Sequence, residues 1–257
     1  MRLKVKLESE TKRTFFVTHD DLQQGLTLLV YEIFKAGDPD YASWLHDQGW
    51  QQADTPRFKL FSYSRLFSSI RHINRNGVFF ASPEVWFYLS SPDPKVISVF
   101  SAGAAVAGSQ VLGDTRLIIT GVERLRPPRA VHGWLYVTTL SPFVISESVT
   151  MPSHPYRYLL LDREPDLVCR RLEKNAKLKW MCYGRNPQEF DLRITPLAAK
   201  PKYIYHGAAG FCFPCSEAVL RLEGPPEVLD FVYDAGLGEK TGMGYGCLGV
   251  YRGRDLE

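Results

Sequence analysis

Residues 236–246 read GLGEKTGMGYG and place five glycines in eleven positions near the C-terminal end of this 257-residue chain. Backbone without Cβ atoms is typical of loops that approach a phosphate, because the ligand can reach free N–H groups. A dinucleotide-binding loop follows a strand and opens a helix, and a P-loop places Gly-Lys-Ser/Thr at a helix start. Here a predicted helix precedes the glycines and a predicted strand follows them. Neither nucleotide-binding motif therefore fits.

Two interpretations of this glycine loop remain. In the first, the loop binds the phosphodiester backbone of a nucleic acid, and its lysine adds a charge-assisted contact. The residues assigned to that contact are Gly236, Gly238, Lys240, Gly242, Gly244 and Gly246. In the second, the glycines only allow two halves of the chain to pack closely. The loop sequence alone leaves both open.

Composition indicates a folded protein with room for one large domain or two small ones, with 45% hydrophobic residues and a formal charge of +3. The N-terminal MRLKVKLESE alternates like a strand and resembles neither a signal peptide nor a membrane span, so we expect a cytoplasmic protein without membrane contact. The five cysteines are scattered, which predicts reduced thiols. Cys212 and Cys215 form a lone CxxC, whereas structural zinc needs four ligands, so two strand cysteines are the favoured interpretation.

Basic residues concentrate in the second half of the chain and predict either a surface for a polyanion or an ordinary solvated helix face. They are Arg170, Arg171, Lys174, Lys177, Lys179, Lys200, Lys202, Arg252 and Arg254.

The order of elements predicts an α+β fold of two tandem β-α-β-β-α-β modules with antiparallel sheets, the ferredoxin-like arrangement. For residues 1–127 we predict strands at 2–8, 58–66, 78–90 and 116–125, a helix after the Thr18 cap that ends at Gly37, a short helix after Asp38-Pro39, and a helix from Pro94 to about Gln110. RPPRAVHG (126–133) marks the boundary. For residues 128–257 we predict strands at 133–147, 189–195, 201–221 and 247–251, and helices at about 165–180 and 225–235.

Several segments, taken in order, carry a resemblance to a known family. Besides the glycine loop they read LQQGLTLLVYEIFKAGDPDYASWLHD, FKLFSYSRLF, TTLSPFVI, MCYGRNPQEFDL and AKPKYIY. Over nearly the whole chain they resemble the CRISPR-associated repeat-processing endoribonucleases, the Cas-six family of the repeat-associated mysterious protein (RAMP) superfamily. The resemblance implies two ferredoxin-like modules and cleavage of CRISPR precursor RNA within its repeats, which yields guide RNAs.

The resemblance also implies the catalytic residues, because the family's tyrosine, histidine and lysine fall on Tyr31, His46 and Lys59. RNA supplies its own nucleophile, the 2′-hydroxyl, so such an enzyme needs acid–base groups and a cation but no metal or other cofactor. By resemblance His46 is the general acid or base, Tyr31 its partner at the 2′-hydroxyl, and Lys59 the cation that stabilises the transition state. The products are a 2′,3′-cyclic phosphate and a 5′-hydroxyl. Without the resemblance, all three would be ordinary surface residues of helices and a strand.

The predicted partner is CRISPR repeat RNA. Its phosphates are assigned to Lys200 and Lys202 in the second module and to Arg65 in the first, although each is equally compatible with an ordinary surface position. The resemblance also allows binding to other CRISPR-associated effector subunits and a homodimer. The alternative function is that of a non-catalytic RNA-binding RAMP subunit of a CRISPR effector complex.

Overall fold

The computed structural model describes residues 1–53, 55–126, 128, 130, 132–149, 156–206 and 211–253. In the first half the strands are β1 (Arg2–Ser9), β2 (Phe15–Thr18), β3 (Ser62–Tyr63), β4 (Arg71–Ile73), β5 (Gly77–Phe80), β6 (Glu84–Ser90), β7 (Gln110–Leu112) and β8 (Thr115–Leu125), and the helices are α1 (His19–Gly37), α2 (Pro39–Asp47) and α3 (Pro94–Val106). In the second half the strands are β9 (Trp134–Thr139), β10 (Ser146–Ser148), β11 (Tyr156–Tyr158), β12 (Arg193–His206), β13 (Phe211–Glu223) and β14 (Leu248–Val250), and the helices are α4 (Pro165–Cys182) and α5 (Pro226–Ala235).

The first module is built on an antiparallel sheet with the strand order β3-β6-β1-β8-β7. If β1, β3, β6 and β8 are numbered 1 to 4 along the chain, their order across the sheet is 2-3-1-4. Helices α1 and α2 connect the first of these strands to the second, and α3 connects the third to the fourth. This is the ferredoxin-like arrangement. A separate small sheet, β2-β5-β4, is added to it.

The second module repeats the arrangement with the order β12-β13-β9-β14, again 2-3-1-4 and antiparallel. Helix α4 follows the first strand and α5 the third. Buried apolar side chains form one large cluster in each module. The predicted fold class, two tandem ferredoxin-like modules, is therefore confirmed. The predicted boundary segment, residues 126–133, lies partly outside the described residues, and the division at residue 127 stays a prediction.

Two predicted strands of the first module are shorter than expected. The run at 58–66 forms only the two-residue β3, since Phe58 instead makes an isolated bridge to Trp50. The run at 78–90 is broken into β5 and β6, which belong to different sheets. Pro83, which has no N–H for a strand ladder, lies at the break.

Two corrections also apply to the second module. The predicted strand at 133–147 ends as β9 at Thr139. The predicted strands at 189–195 and 201–221 are instead a long hairpin of β12 and β13, and β12 runs unbroken through Pro196 and Pro201. Strand β12 is an edge strand with a register shift between Pro196 and Ala198, which is where a sheet tolerates proline.

The helix pair that carries the predicted catalytic residues Tyr31 and His46 has well-defined ends. Thr18 caps α1 by accepting a hydrogen bond from the N–H of Asp21 at 3.1 Å. Asp38 caps α2 by accepting from the N–H of Tyr41 at 2.9 Å, and proline occupies the first position of α2. The predicted turn between the two helices is therefore present, and α2 folds back against α1.

Helices α1 and α3 approach each other closely at Gly37 and Gly103. A Cβ atom at Gly103 would collide with the carbonyl oxygen of Ile33, and one at Gly37 with that of Val99. Backbone-to-backbone contact on this scale cannot be relieved by moving a side chain. The two glycines therefore allow the short distance between the axes of α1 and α3.

We expect the substitution Gly103→Ala to lower the free energy of unfolding by about 2 kcal/mol, the usual range for an overpacked core. Urea denaturation measures the change. The control is Gly108→Ala, where no heavy atom lies within 4 Å of the new Cβ. Equal unfolding midpoints for the two variants would contradict the argument from close helix approach.

A buried interface joins the two modules. Arg2 on β1 is 4% exposed, donates from Nε to the Ser90 hydroxyl at 2.7 Å, and places its guanidinium 4.1 Å from the ring centroid of Tyr233 on α5. The buried hydroxyl of Ser141 donates to the carbonyl of Tyr63 at 3.0 Å and accepts from the N–H of Cys247 at 3.0 Å. Arg2 and Ser141 thus each contact the other module across the interface.

Cys212 and Cys215 both lie on β13, as the favoured interpretation predicted. Their partners across the ladder, Tyr205 and Lys202, follow in unbroken register, so the two thiols project from opposite faces of the sheet. The described ranges contain no cluster of three or more His, Cys, Asp or Glu residues that could share a metal ion. None of the helices in the described part of the chain is both long and apolar enough to cross a bilayer.

Candidate active site

Tyr31, His46 and Lys59 lie together at one site. Tyr31 lies in the second half of α1, His46 in the last turn of α2, and Lys59 on the segment that returns from the loop after α2. The rings of Tyr31 and His46 meet edge to face with their centroids 5.4 Å apart. The Lys59 ammonium donates to the backbone carbonyl of His46 at 2.5 Å. The structure therefore brings the three predicted side chains together around one point.

The His46 imidazole is accessible and has a defined orientation. Its side chain is 69% exposed, and Nδ1 lies 2.8 Å from Oδ1 of Asp47. An ionised carboxylate can only accept, so the tautomer that fits is the one in which Nδ1–H donates a hydrogen bond to Asp47. Nε2 then remains for a substrate, as a base in the neutral ring or as an acid in the imidazolium.

Tyr31 is half-buried, with its ring packed against Phe34 and Phe61 at centroid distances of 6.2 and 6.1 Å. Burial raises the pKa of the Tyr31 phenol to about 12. The phenol therefore stays protonated at neutral pH, where it can donate a hydrogen bond but is a poor base.

Lys59 is held between two glycines. A Cβ at Gly49 would lie 3.2 Å from Cδ of Lys59, and one at Gly242 would lie 2.9 Å from its Cβ. Partial burial is the main cause that lowers the pKa of the Lys59 ammonium, nearby Arg57 lowers it further, and Asp47 opposes the shift. The ammonium is thus fixed close to His46 by contacts on both sides.

The glycine loop packs between the two modules rather than lying open to solvent. Protein atoms occupy the place of a Cβ at every glycine in the loop: Ser62 at Gly236, Val144 at Gly238, Lys59 at Gly242, Tyr63 and Gln23 at Gly244, and Leu237 at Gly246. All five glycines are buried. The packing interpretation therefore accounts for the glycines, and RNA contact through them stays a prediction.

Two loop contacts reach the candidate catalytic residues directly. The Thr241 hydroxyl donates to the carbonyl of Lys59 at 3.0 Å. A Cβ at Gly242 would lie 3.3 Å from the phenol oxygen of Tyr31. Lys240, predicted to bind phosphate, places its ammonium 4.7 Å from the ring centroid of Phe213. The loop's threonine and Gly242, not its lysine, therefore face the site.

Sequence reasoning missed Gln23, a buried residue of α1 whose amide donates to the carbonyl of Met243 at 2.6 Å. A signal was present, since Gln23 interrupts the apolar face of α1 one turn before Leu26. A polar side chain on an apolar helix face must find a partner inside the protein. Here that partner is the glycine loop.

Two of the predicted phosphate-binding cations already share an acidic partner. Arg65 Nη1 lies 2.8 Å from Oε1 of Glu217, and Lys202 Nζ lies 3.8 Å from Oε2 of the same side chain. Together with Gln23 and Tyr203 they line a cavity of about 330 Å³ between the modules. Lys200 is exposed on β12, two residues before Lys202, and pairs with Glu217 across the ladder. Arg65 and Lys202 thus share one carboxylate at the cleft between the modules, and Lys200 lies opposite that residue in the ladder.

The charge-cluster expectation is wrong for one basic residue of α4, Lys179, and for the others both interpretations stay predictions. Lys179 is 2% exposed and therefore buried, and Arg171 lies 3.5 Å from a carboxylate oxygen of Glu147. Arg170, Lys174 and Lys177 are exposed.

If Arg65 and Lys202 bind RNA phosphates, Glu217 opposes that binding, because its carboxylate competes for both cations and repels the phosphates. We therefore expect Glu217→Gln to bind repeat RNA about three to five times more tightly at low salt, the size of one unit-charge interaction at about 4 Å in water. Equilibrium binding at two salt concentrations tests this, and added salt should reduce the gain. The matched control is Glu223→Gln on the same strand, whose carboxylate pairs with Arg221 instead. Weaker RNA binding by Glu217→Gln would show that the RNA does not pass through this cleft.

Comparison with known proteins agrees with this architecture. The model for "CRISPR-associated protein Cas6, N-terminal" matches residues 19–123, and that for "CRISPR associated protein Cas6, C-terminal" matches residues 126–250. The chain is 25% identical over 248 residues to "CRISPR-associated endoribonuclease Cas6 1" of Methanocaldococcus jannaschii, covering 96% of this chain and 92% of that protein. It is 28% identical over 254 residues to "CRISPR-associated endoribonuclease Cas6" of Pyrococcus furiosus, covering 97% and 90%.

A solved structure described as "An RAMP protein binding different RNA substrates" superposes with a TM-score of 0.81 at 22% identity, covering 98% of this chain and 100% of that one. At this identity the superposition shows that the fold is shared. The two family models follow one another along nearly the whole chain. The protein therefore belongs to the CRISPR-associated Cas6 family.

Proposed function

We propose that this protein is an endoribonuclease that cleaves CRISPR precursor RNA within its repeats, without a metal ion, to produce guide RNAs. The observation that carries the proposal is the convergence of Tyr31, His46 and Lys59 at one accessible site. Relatives that cover nearly the whole chain are named as endoribonucleases, which supports the same activity here.

In the proposed reaction the 2′-oxygen of the nucleotide before the cut forms a bond to phosphorus while the bond from phosphorus to the 5′-oxygen breaks. The 2′-hydroxyl proton passes to Nε2 of His46, whose Nδ1 is held by Asp47. The departing 5′-oxygen takes a proton from water. The products are a 2′,3′-cyclic phosphate and a 5′-hydroxyl.

The other two residues have different roles in this proposal. The Lys59 ammonium neutralises the negative charge that develops on the phosphorane, which is where a fixed cation has the largest effect on rate. Tyr31 keeps its proton because burial raises the pKa of the phenol to about 12. It therefore acts as a hydrogen-bond donor that orients the ribose–phosphate junction, and His46 remains as the base.

For substrate binding we propose that the RNA backbone follows the cleft lined by Arg65, Lys202 and Tyr203, with Lys200 beside it. Cations position a backbone without reading its sequence, and an exposed tyrosine offers a surface on which an unpaired base can stack. Tyr203 is 51% exposed. We also keep the division into modules at residues 1–127 and 128–257 as part of the proposal.

The decisive experiment incubates end-labelled repeat RNA with the protein in excess EDTA. We expect cleavage at one position and a 5′ fragment that ends in a 2′,3′-cyclic phosphate, which acid treatment and phosphatase sensitivity identify. RNA that is bound but stays intact, with or without added Mg²⁺, would instead indicate a non-catalytic RNA-binding RAMP subunit. Cleavage that appears only after Mg²⁺ is added would contradict the metal-independent mechanism.

A further inference from the structure

Lys179, near the end of α4, is a buried cation for which the proposed reaction has no direct use. Its side chain is 2% exposed, and burial lowers the pKa of the ammonium to about 7, while Glu239 opposes the shift. A buried lysine requires hydrogen-bond acceptors. Nζ of Lys179 donates to the carbonyl of Gly236 at 2.9 Å and to that of Gly238 at 2.7 Å. Lys179 therefore binds the first part of the glycine loop.

The position of these carbonyls explains why a lysine occupies this place. Gly236 is the C-terminal cap of α5, and the carbonyls at a helix C-terminus carry partial negative charge that favours a nearby cation. The loop backbone turns away from the helix there, with a positive φ at both Gly236 and Gly238. One ammonium group thus bridges the end of α5 and the start of the loop.

The far part of the loop is held from the other module. The amide of Gln23 on α1 donates to the carbonyl of Met243. Between the two anchors lie Thr241, which donates to the carbonyl of Lys59, and Gly242, which packs against Lys59 and Tyr31. The loop therefore spans from Lys179 to Gln23 and presses on the candidate catalytic groups at its middle.

We propose that Lys179 is a positioning residue for the cleavage reaction: by fixing the Gly236 and Gly238 carbonyls it holds the glycine loop as a brace that keeps Lys59 and Tyr31 in place. This inference rests on the proposed function, since it assigns a purpose to the geometry of that site. Lys179 is buried and acts through the loop, so RNA affinity should not depend on it.

The test compares Lys179→Met with Val168→Ala. Methionine keeps the length of the side chain and removes its N–H donors, while Val168 is a fully buried residue of the same helix whose apolar side chain offers no donor to the loop carbonyls. We expect Lys179→Met to lower the single-turnover cleavage rate at least tenfold, with the Kd for RNA carrying a 2′-deoxy nucleotide at the cut changed less than threefold. Val168→Ala, measured at the same fraction folded, should keep the wild-type rate.

Hydrogen exchange provides a readout that is independent of cleavage. The N–H groups of Met243 and Gly244 are hydrogen-bonded within the loop, and we expect them to exchange at least tenfold faster in Lys179→Met than in Val168→Ala. If the wild-type protein does not cleave RNA, the proposed function fails, and this exchange alone decides whether Lys179 holds the loop.

Three results would overturn the inference. The first is that the loop N–H groups exchange as slowly in Lys179→Met as in Val168→Ala. The second is that Lys179→Met cleaves at the wild-type rate. The third is that Lys179→Met loses as much RNA affinity as cleavage rate. Should Lys179→Met not fold, Gln23→Leu releases the other anchor of the loop. Because Gln23 also lines the cleft proposed for RNA, the cleavage rate is measured at saturating protein. Gln23→Leu should give the same fall in that rate, and a wild-type rate would again contradict the brace.

Discussion

Replacement of His46 by alanine is expected to slow cleavage of repeat RNA at least 100-fold while RNA binding is largely kept. Removal of a positioned acid–base group typically reduces the rate by that factor or more. The imidazole is mostly exposed at the end of α2 and, in the described part of the chain, its one ring contact is with the half-buried Tyr31, so the fold should not change. Single-turnover cleavage gives the rate, and the Kd for an RNA with a 2′-deoxy nucleotide at the cut gives the binding.

The matched control is His72→Ala on β4, an exposed histidine stacked on Phe79. That variant should cleave at the wild-type rate. Because His46 is open to solvent, added imidazole should also restore part of the activity of His46→Ala. A His46→Ala protein with unchanged cleavage would refute the assignment of the base, and one that no longer binds RNA would point to a substrate-binding role instead.

The parts of the fold that could be predicted are those whose signals are local. The ends of α1 and α2 follow from side chains next to them in sequence, the Thr18 and Asp38 caps and the proline after Asp38. That turn brings His46 back towards Tyr31, and so the proximity of these two residues was also predictable. Hydrophobic periodicity then supplied the order of the remaining helices and the central strands.

The parts that were wrong or missing depend on contacts that are distant in sequence. Whether a proline breaks a strand depends on its place in the sheet, and β12 runs through two prolines because it is an edge strand. Lys179 looked like one more surface cation of α4, and its burial depends on carbonyls nearly sixty residues later. The close packing of the glycine loop against other parts of the protein depends on distant contacts as well, and RNA contact through the loop stays a prediction.

The candidate site combines these two kinds of information. The family resemblance supplied Tyr31, His46 and Lys59, but nothing in the sequence indicated that a loop of the second module would press on two of them. Because the site contains residues of both modules, the cleavage rate should depend on how the two modules pack together. Substitutions where the loop contacts Lys59 and Tyr31 should therefore lower the cleavage rate more than the RNA affinity.

Replacement of Lys59 by alanine is expected to slow cleavage about 100-fold, because loss of one fixed group that stabilises developing negative charge has an effect of that order. Lys59→Arg keeps the positive charge and should retain more activity than Lys59→Ala. Single-turnover cleavage compares the two. The control is Lys35→Ala, an exposed lysine at the end of α1 that lies 3.9 Å from Glu32.

The pH dependence separates a catalytic cation from one that only supports the fold. Burial lowers the pKa of Lys59, so the ammonium loses its proton, and its charge, at a lower pH than an ordinary lysine with a pKa of about 10.4. As the pH is raised, the cleavage rate of the wild-type protein should therefore fall before the pH reaches the pKa of an ordinary lysine. Lys59→Arg should not show this fall, since a guanidinium stays charged throughout the range. If wild type and Lys59→Arg lose activity at the same alkaline pH, another group titrates there, and Lys59 is not the cation that faces the phosphate.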